Sequence, residues 1–130
     1  MGPRGSSIVC VAIAAVCVLV LLEDPPPPTA MGLTVRRGEE VFQKEAMCLA
    51  CHVLNGQGGQ NGPPLDHVAT KWIRLRGGRD EARMFFHDHL VDPVKNRVST
   101  WGVCPPQVVS YRSLGEDKIA DICEYLLTLE

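Results

Sequence analysis

Two cysteines and a histidine stand together at residues 48–52, which read CLACH. Cys48 and Cys51 are three residues apart, and His52 follows the second cysteine directly. Paired thiols can form a disulfide, thiolate and imidazole groups bind metal ions, and two thiols followed by an imidazole can attach a haem and bind its iron. The spacing therefore predicts a disulfide, a metal centre or an attached haem.

Other features of the chain favour the haem. No second C-x-x-C pair and no H-x-x-x-H pair supplies the further ligands of a zinc site, and strand signals for a thioredoxin-like redox pair are few. On a helix, positions 48, 51 and 52 share one face, so two thioethers and one imidazole can meet one flat porphyrin. Because C-x-x-C-H is the haem-attachment signature, we predict one covalent haem c, with a disulfide or a metal ion as the alternatives.

Three stretches of the chain are predicted to be helical and to position this site. The first begins at Thr34, a residue type that caps helices, and runs through Phe42 towards the cysteines. The second covers residues 80–90 and ends at the Asp92-Pro93 pair, because the residue before a proline disfavours the helical conformation. The third is the closing stretch, where apolar residues recur at helical intervals. These residues are Ile119, Ile122, Leu126 and Leu129.

The connecting segments are predicted to be irregular. Residues 55–64, NGQGGQNGPP, predict a loop without a regular element that wraps around another part of the domain. Residues 93–113 also lack a regular pattern. With only 5% aromatic residues the domain has a thin core, and small domains of this kind commonly need a covalent or metal staple. We place that staple at residues 48–52.

The amino-terminal part of the chain differs in composition from the rest. Residues 8–22 form an unbroken apolar run, preceded by Arg4 and followed by Glu23 and Asp24. Such a run predicts a membrane anchor or signal segment, and its flanking charges predict a cytoplasmic amino terminus with the rest of the chain outside. We therefore expect the site to work on the periplasmic side of a bacterial cytoplasmic membrane.

Three regions follow from this composition. Residues 1–24 are the membrane anchor or signal segment, residues 25–33 a proline-rich linker, and residues 34–130 the domain that carries the site. The small residues that a signal peptidase needs are mostly missing, so we expect an uncleaved N-terminal helix. The alternative is a cleaved signal and a soluble periplasmic protein.

The stretch GEEVFQKEAMCLACHVLNGQGGQNGPPL resembles the opening of a class I, monohaem c-type cytochrome, and EYLLTL resembles the closing helix of that family. The resemblance implies an all-α cytochrome c fold, with three to four helices around one covalent haem. Here a single N-terminal transmembrane or signal helix would precede it. The first and last helices are expected to cross at Gly38, Phe42 and Tyr125.

The resemblance also implies roles for single residues. Cys48 and Cys51 would tether the haem, and His52 would be the proximal ligand of the iron. The carbonyl of Pro63 would accept the N–H of that histidine, which fixes the ring and raises its basicity. The haem-binding residues would further include Leu65, which lines the pocket, and Trp72, which can donate its indole N–H to a propionate.

The sequence departs from the family at the sixth ligand of the iron. Respiratory members place a methionine in a Met-Pro-Pro-like loop before the last helix, whereas this loop reads WGVCPPQ. Cys104 is therefore the candidate ligand, and its thiolate would favour Fe(III) and lower the reduction potential. The alternatives are Met84 as the ligand, an iron without a sixth protein ligand, and a Cys104–Cys123 disulfide. We expect Met84 to pack and Cys123 to lie in the core.

The charge pattern excludes one class of partner. Thirteen Lys and Arg against fifteen Asp and Glu give a net charge of -2, so nucleic-acid binding is not expected. A basic stretch at residues 71–83 is most simply a solvated surface; the alternatives are neutralisation of the haem propionates and steering of an acidic redox partner. Its cations are Lys71, Arg74, Arg76, Arg79 and Arg83.

These features predict an electron carrier rather than an enzyme, since motifs for a general base, a nucleophile triad or a substrate pocket are lacking. The expected function is one-electron transfer by haem c, as a carrier or a subunit of a respiratory or photosynthetic chain. Redox proteins are the expected partners, a membrane electron-transfer complex among them. The alternative is a haem enzyme subunit with a thiolate-ligated or open distal site that acts on a small sulfur or nitrogen compound.

Overall fold

The computed structural model describes residues 27–96 and 110–130, and this part of the chain is mostly helical. Within it no helix combines the length and the apolar character that crossing a bilayer requires. The predicted membrane segment, residues 1–24, lies outside the described residues. The described residues contain four α-helices: α1 (Ala30–Glu40), α2 (Val68–Arg76), α3 (Arg79–Val91) and α4 (Glu116–Leu126).

Short helical turns complete these elements. One π turn, Val41–Glu45, continues α1, and 3-10 turns lie at Cys48–Ala50 and Tyr111–Leu114. The predicted helices over residues 80–90 and at the end of the chain are confirmed as α3 and α4. The chain leaves α3 at Asp92, directly before the proline that was expected to stop it.

Helix α1 begins earlier than predicted. The hydroxyl of Thr29 accepts a hydrogen bond from the Gly32 amide at 3.1 Å and thereby caps the helix. Thr34 lies inside the helix, where its hydroxyl donates to the Ala30 carbonyl. The predicted start at Thr34 is therefore wrong, because another hydroxyl residue, one turn closer to the amino terminus, supplies the cap.

Helices α1 and α4 cross where the family resemblance implies. Gly38 is buried at the crossing, and a Cβ atom there would fall on the carbonyl oxygen of Asp121. One turn later the rings of Phe42 and Tyr125 pack with their centroids 5.1 Å apart. The close approach of the two backbones at Gly38 is what lets these rings meet. The apolar face of α4 fills the core around Ile122.

Two buried carboxylates on α4 hold the neighbouring helices. Asp121 accepts both Nε and Nη2 of Arg37 on α1, at 2.8 and 3.0 Å. Glu124 accepts Nε of Arg83 on α3, and Nη2 of Arg79 lies 3.6 Å from its second oxygen. Two of the predicted basic residues, Arg79 and Arg83, therefore have a structural role, because a buried carboxylate needs a cation beside it.

A helix and a small hairpin occupy places where no regular element was predicted. Helix α2 buries Val68 and Ala69 and ends at Gly77, whose φ of 91° closes the helix. The strands Val53–Leu54 (β1) and Gln57–Gly58 (β2) pair antiparallel around an Asn-Gly turn with positive φ at both residues. The prediction that residues 55–64 contain no regular element is therefore wrong, because Asn-Gly favours this type of hairpin turn.

Candidate functional site

The CLACH residues form a tight turn directly after α1 and its π turn. Cys48–Ala50 is a 3-10 turn rather than part of an α-helix, and the His52 amide donates to the Cys48 carbonyl at 2.9 Å. Cys48 is buried whereas Cys51 is exposed. This hydrogen bond closes the turn and brings the backbone of His52 back to that of Cys48, so one local element carries both thiols and the imidazole.

The ring of His52 has a defined orientation and tautomer. Its Nδ1 lies 2.8 Å from the carbonyl oxygen of Pro63, so the hydrogen bond expected between these residues is present. A carbonyl oxygen can only accept, so Nδ1 must carry the proton and donate it. The Nε2 atom is then unprotonated in the neutral ring, with its lone pair available to a metal ion.

The glycine-rich loop wraps the turn closely. The Gly59 amide donates to the Leu49 carbonyl at 2.9 Å, and the Gly62 amide donates to the Cys51 carbonyl at 2.8 Å. A Cβ atom on Gly62 would lie 2.5 Å from Cε1 of the His52 ring. Glycine is therefore needed where the loop crosses the imidazole. The loop was predicted to wrap around something, and the structure shows that it packs on the attachment turn.

The cysteines of the described residues carry free thiols: Cys48, Cys51 and Cys123. Burial, the larger effect, raises the pKa of Cys48 to about 11, while a hydrogen bond with the Tyr111 hydroxyl lowers it. Burial also raises the pKa of Cys123, which is 1% exposed, to about 12. Cys123 is thus a core thiol, as predicted.

Within residues 27–96 and 110–130, no group of three or more acidic, cysteine or histidine side chains is placed to hold a metal ion.

The donor set on the turn fits a covalently attached haem. Two free thiols three residues apart can each form one thioether, and the adjacent imidazole presents Nε2 rather than Nδ1 to a metal ion. The crowded backbone around Gly62 leaves the ring one orientation. A haem bound here would be held by Cys48, Cys51 and His52.

The remaining predicted site residues lie in different surroundings. Leu65 is buried in the core, and its amide donates to the Val53 carbonyl at 2.8 Å. Trp72 is half-buried between α2 and α3, where it stacks on Phe85 with ring centroids 3.9 Å apart. Cys104 lies outside the described residues.

Met84 does not pack in the core. It is 65% exposed on α3, so the prediction that it packs is wrong. The buried side of α3 consists of Ala82, Phe86 and Leu90, and Met84 is not on that side of the helix.

The cations of α2 differ from those of α3. Among the described residues, Lys71, Arg74 and Arg76 have no carboxylate within ion-pair distance. The Arg76 guanidinium instead lies over the ring of Phe85 at 4.3 Å. Within residues 27–96 and 110–130, this nine-residue helix thus has exposed cations that form no ion pair.

Sequence reasoning missed one residue of the site, Tyr111. Its hydroxyl donates to the Ala46 carbonyl at 3.1 Å, two residues before Cys48. The two partners are 65 residues apart in the chain, and a tyrosine in an irregular segment carries no local signal of such a contact.

Comparison with known protein families agrees with this geometry. The family model described as cytochrome c matches residues 35–130 of the 130-residue chain, which includes the turn, the glycine-rich loop and all of α2 to α4. No curated protein and no solved structure matched the chain. The chain therefore belongs to the cytochrome c family, whose members bind haem c covalently and use it to transfer electrons.

Proposed function

We propose that this protein is a monohaem, class I c-type cytochrome that transfers single electrons. Cys48 and Cys51 would hold one haem c through two thioether bonds, and Nε2 of His52 would bind its iron. The bound haem supplies a reversible one-electron couple. The observation that carries this proposal is the hydrogen bond from His52 Nδ1 to Pro63 O, because it leaves Nε2 as the ligand atom.

The chain contributes a fixed ligand geometry. Pro63 holds the imidazole from behind, and Gly62 packs against its ring, so the ring has little freedom to rotate when the charge on the iron changes. The hydrogen bond also raises the basicity of the ligand atom, which stabilises the oxidised state. Leu65, two residues after Pro63, is buried and would line the haem pocket.

Cys104 is the proposed sixth ligand, on the sequence evidence that it occupies the place of the family methionine before two prolines. A thiolate ligand would give a low-spin iron with a low reduction potential. With both His52 and Cys104 bound, the iron would have no open position, and such a site would suit a carrier rather than a haem enzyme that acts on a small molecule. Binding of CO or cyanide separates the two functions: a carrier ignores both ligands, whereas an enzyme with an open site binds them.

The proposed location is the outer face of the cytoplasmic membrane, with residues 1–24 as the anchor. Its support is the apolar run at residues 8–22 and the charges on either side of it. The proposed partners are redox proteins, including a membrane electron-transfer complex. Lys71 and Arg74 on α2, which have no carboxylate at ion-pair distance in the described part of the chain, favour a partner with an acidic surface.

The ligand assignment is tested by one pair of matched variants. His52→Asn removes the proposed ligand, whereas His67→Asn removes an exposed histidine whose left-handed conformation, φ 57°, asparagine tolerates. After expression in a host that matures c-type cytochromes, we expect the spectrum of a low-spin haem in the wild type and in His67→Asn. His52→Asn should lose that spectrum. An unchanged low-spin spectrum in His52→Asn would show that another residue binds the iron.

A further inference from the structure

The backbone changes its hydrogen-bond pattern directly before the haem-attachment turn. The Ala46 amide donates to the Val41 carbonyl at 2.8 Å, which closes the π turn. Met47 then adopts the left-handed conformation, with φ 50°, and the next turn starts afresh with the Ala50 amide on the Met47 carbonyl. Ala46 is buried, so its carbonyl needs a partner that the helical pattern no longer supplies.

Tyr111 supplies that partner. The side chain of Tyr111 is half-buried, and its hydroxyl donates to the Ala46 carbonyl at 3.1 Å. The hydroxyl is also near enough to Cys48 to lower the pKa of that thiol against the larger effect of burial. One side chain thus lies beside both the backbone that enters the turn and the first cysteine of the turn.

The position of Tyr111 is itself fixed by its neighbours. The Ser110 hydroxyl donates to the Val91 carbonyl at the end of α3, at 2.9 Å. Further along, Lys118 of α4 donates to the Glu45 carboxylate, one residue before Ala46. The turn that carries Tyr111 is therefore tied to the end of α3 by Ser110 and packs against both α3 and α4.

We propose that Tyr111 is a positioning residue for the covalent haem, because its hydroxyl fixes the Ala46–Cys48 backbone and with it the thioether of Cys48. This inference rests on the proposed function, since it requires that Cys48 carries the haem. Cys51 is exposed, and within the described part of the chain no hydrogen bond joins it to Tyr111, so we expect the effect at the Cys48 thioether.

The test compares holoprotein variants by proton NMR of the oxidised state, in which haem substituents have shifts that depend on the geometry of each thioether. Tyr111→Phe removes the hydroxyl alone. We expect the signals of the haem substituent bonded to Cys48 to shift. The signals of the substituent bonded to Cys51 should change no more than they do in a control variant that lacks a different tyrosine hydroxyl. 4-Aminophenylalanine at position 111 restores a hydrogen-bond donor and should restore the wild-type signals.

The matched control is Tyr125→Phe, which removes the same oxygen from a buried tyrosine that packs on Phe42. A general loss of stability can occur in both variants, but the selective shift should occur in Tyr111→Phe alone. If Tyr111→Phe does not accumulate, 4-fluorophenylalanine at position 111 can replace it, because it keeps the shape of the ring without the donor. The same selective shift of the signals at the Cys48 thioether is expected.

Two outcomes would overturn the inference: wild-type signals in the variant without a donor, or equal changes at both thioethers. A wild-type protein without covalent haem would instead overturn the proposed function. The two failures are therefore distinguishable.

Discussion

The Nδ1 atom of His52 lies 2.8 Å from the carbonyl oxygen of Pro63. This contact joins the attachment turn to the end of the glycine-rich loop and determines which nitrogen of the ring can bind a metal ion. The loop residue before the proline, Gly62, packs on the face of the same ring. The orientation of the His52 ring therefore depends on the carbonyl of Pro63 and on the absence of a side chain at Gly62.

Gly62→Ala should disturb the proposed ligand. Its Cβ atom would lie 2.5 Å from Cε1 and 2.7 Å from Nδ1 of His52, so either the ring or the loop must move. Overpacking of this kind typically costs about 1–3 kcal/mol. We expect a lower melting temperature of the holoprotein and a shifted reduction potential. Asn61→Ala, at an exposed neighbour, is the control and should change neither. A wild-type potential and melting temperature in Gly62→Ala would show that the ring is not confined.

Gly38→Ala should loosen the crossing of α1 and α4. The added Cβ atom would fall on the Asp121 carbonyl oxygen and 3.0 Å from Cβ of Tyr125, so the helices must separate. The expected loss is at least about 1–3 kcal/mol of unfolding free energy, measured by denaturant titration of the holoprotein. Gly32→Ala in the same helix is the control, because its Cβ atom meets ordinary contacts at 3.4 Å and alanine favours the helix. Equal stability of the two variants contradicts the tight crossing.

The stability of the α3–α4 contact should depend on the charge of His87. Its Nε2 lies 2.9 Å from Glu116, and hydrogen bonds with Glu116 and Asp88 raise the pKa of His87 above its ordinary value of about 6.5. A raised pKa means that the folded state binds the proton more tightly, so this contribution is complete below pH 6.5 and is lost as the pH rises through the folded-state pKa.

The size of this effect is small because His87 is 37% exposed, and exposed ion pairs contribute less than about 1 kcal/mol. The measurement is the unfolding free energy as a function of pH, from below pH 6.5 upwards, for the wild type and for His87→Gln. The difference between them should be largest at the acidic end and shrink as the pH rises. A difference that grows towards alkaline pH would contradict the raised pKa.

Cys104→Met should raise the reduction potential if the cysteine is the sixth ligand. A thioether favours Fe(II) relative to a thiolate, and axial ligands move haem potentials over a range of about 0.8 V. Potentiometric titration of the two holoproteins measures the change, and Cys104→Ala should in addition bind cyanide. Cys123→Ala is the control, since that thiol is buried in the core. An unchanged potential in Cys104→Met removes thiolate ligation as an explanation.

The sequence predicted the elements that depend on local patterns. Helix α4 and α3 were predictable from regular apolar spacing and from Asp92-Pro93. The hairpin turn at Asn55-Gly56 and the helix cap at Thr29 were missed, although both residue types favour these structures. The reason is that the turn lies in a glycine-rich stretch and the cap follows a proline-rich one, and both stretches predict irregular structure. Helix α2 is short, and its cations obscure the apolar pattern of its buried side.

The contacts between distant parts of the chain could not be predicted in this way. The Tyr111 hydroxyl and the Ala46 carbonyl are 65 residues apart, and Arg83 and Glu124 are 41 apart. Such pairs form because helix packing brings the partners together and because buried polar groups require partners, not because of any pattern in the nearby sequence. The hydrogen bond between His52 and Pro63 was expected only through the family resemblance.

Covalent attachment of one haem to Cys48 and Cys51 can be measured by the intact mass of the denatured protein. The wild type is produced in a host that matures c-type cytochromes, beside a Cys48→Ala, Cys51→Ala double variant. We expect the wild-type polypeptide to carry the added mass of one haem and to keep its absorbance after acid extraction, whereas the double variant should have neither. A wild-type mass equal to that of the bare chain would contradict it.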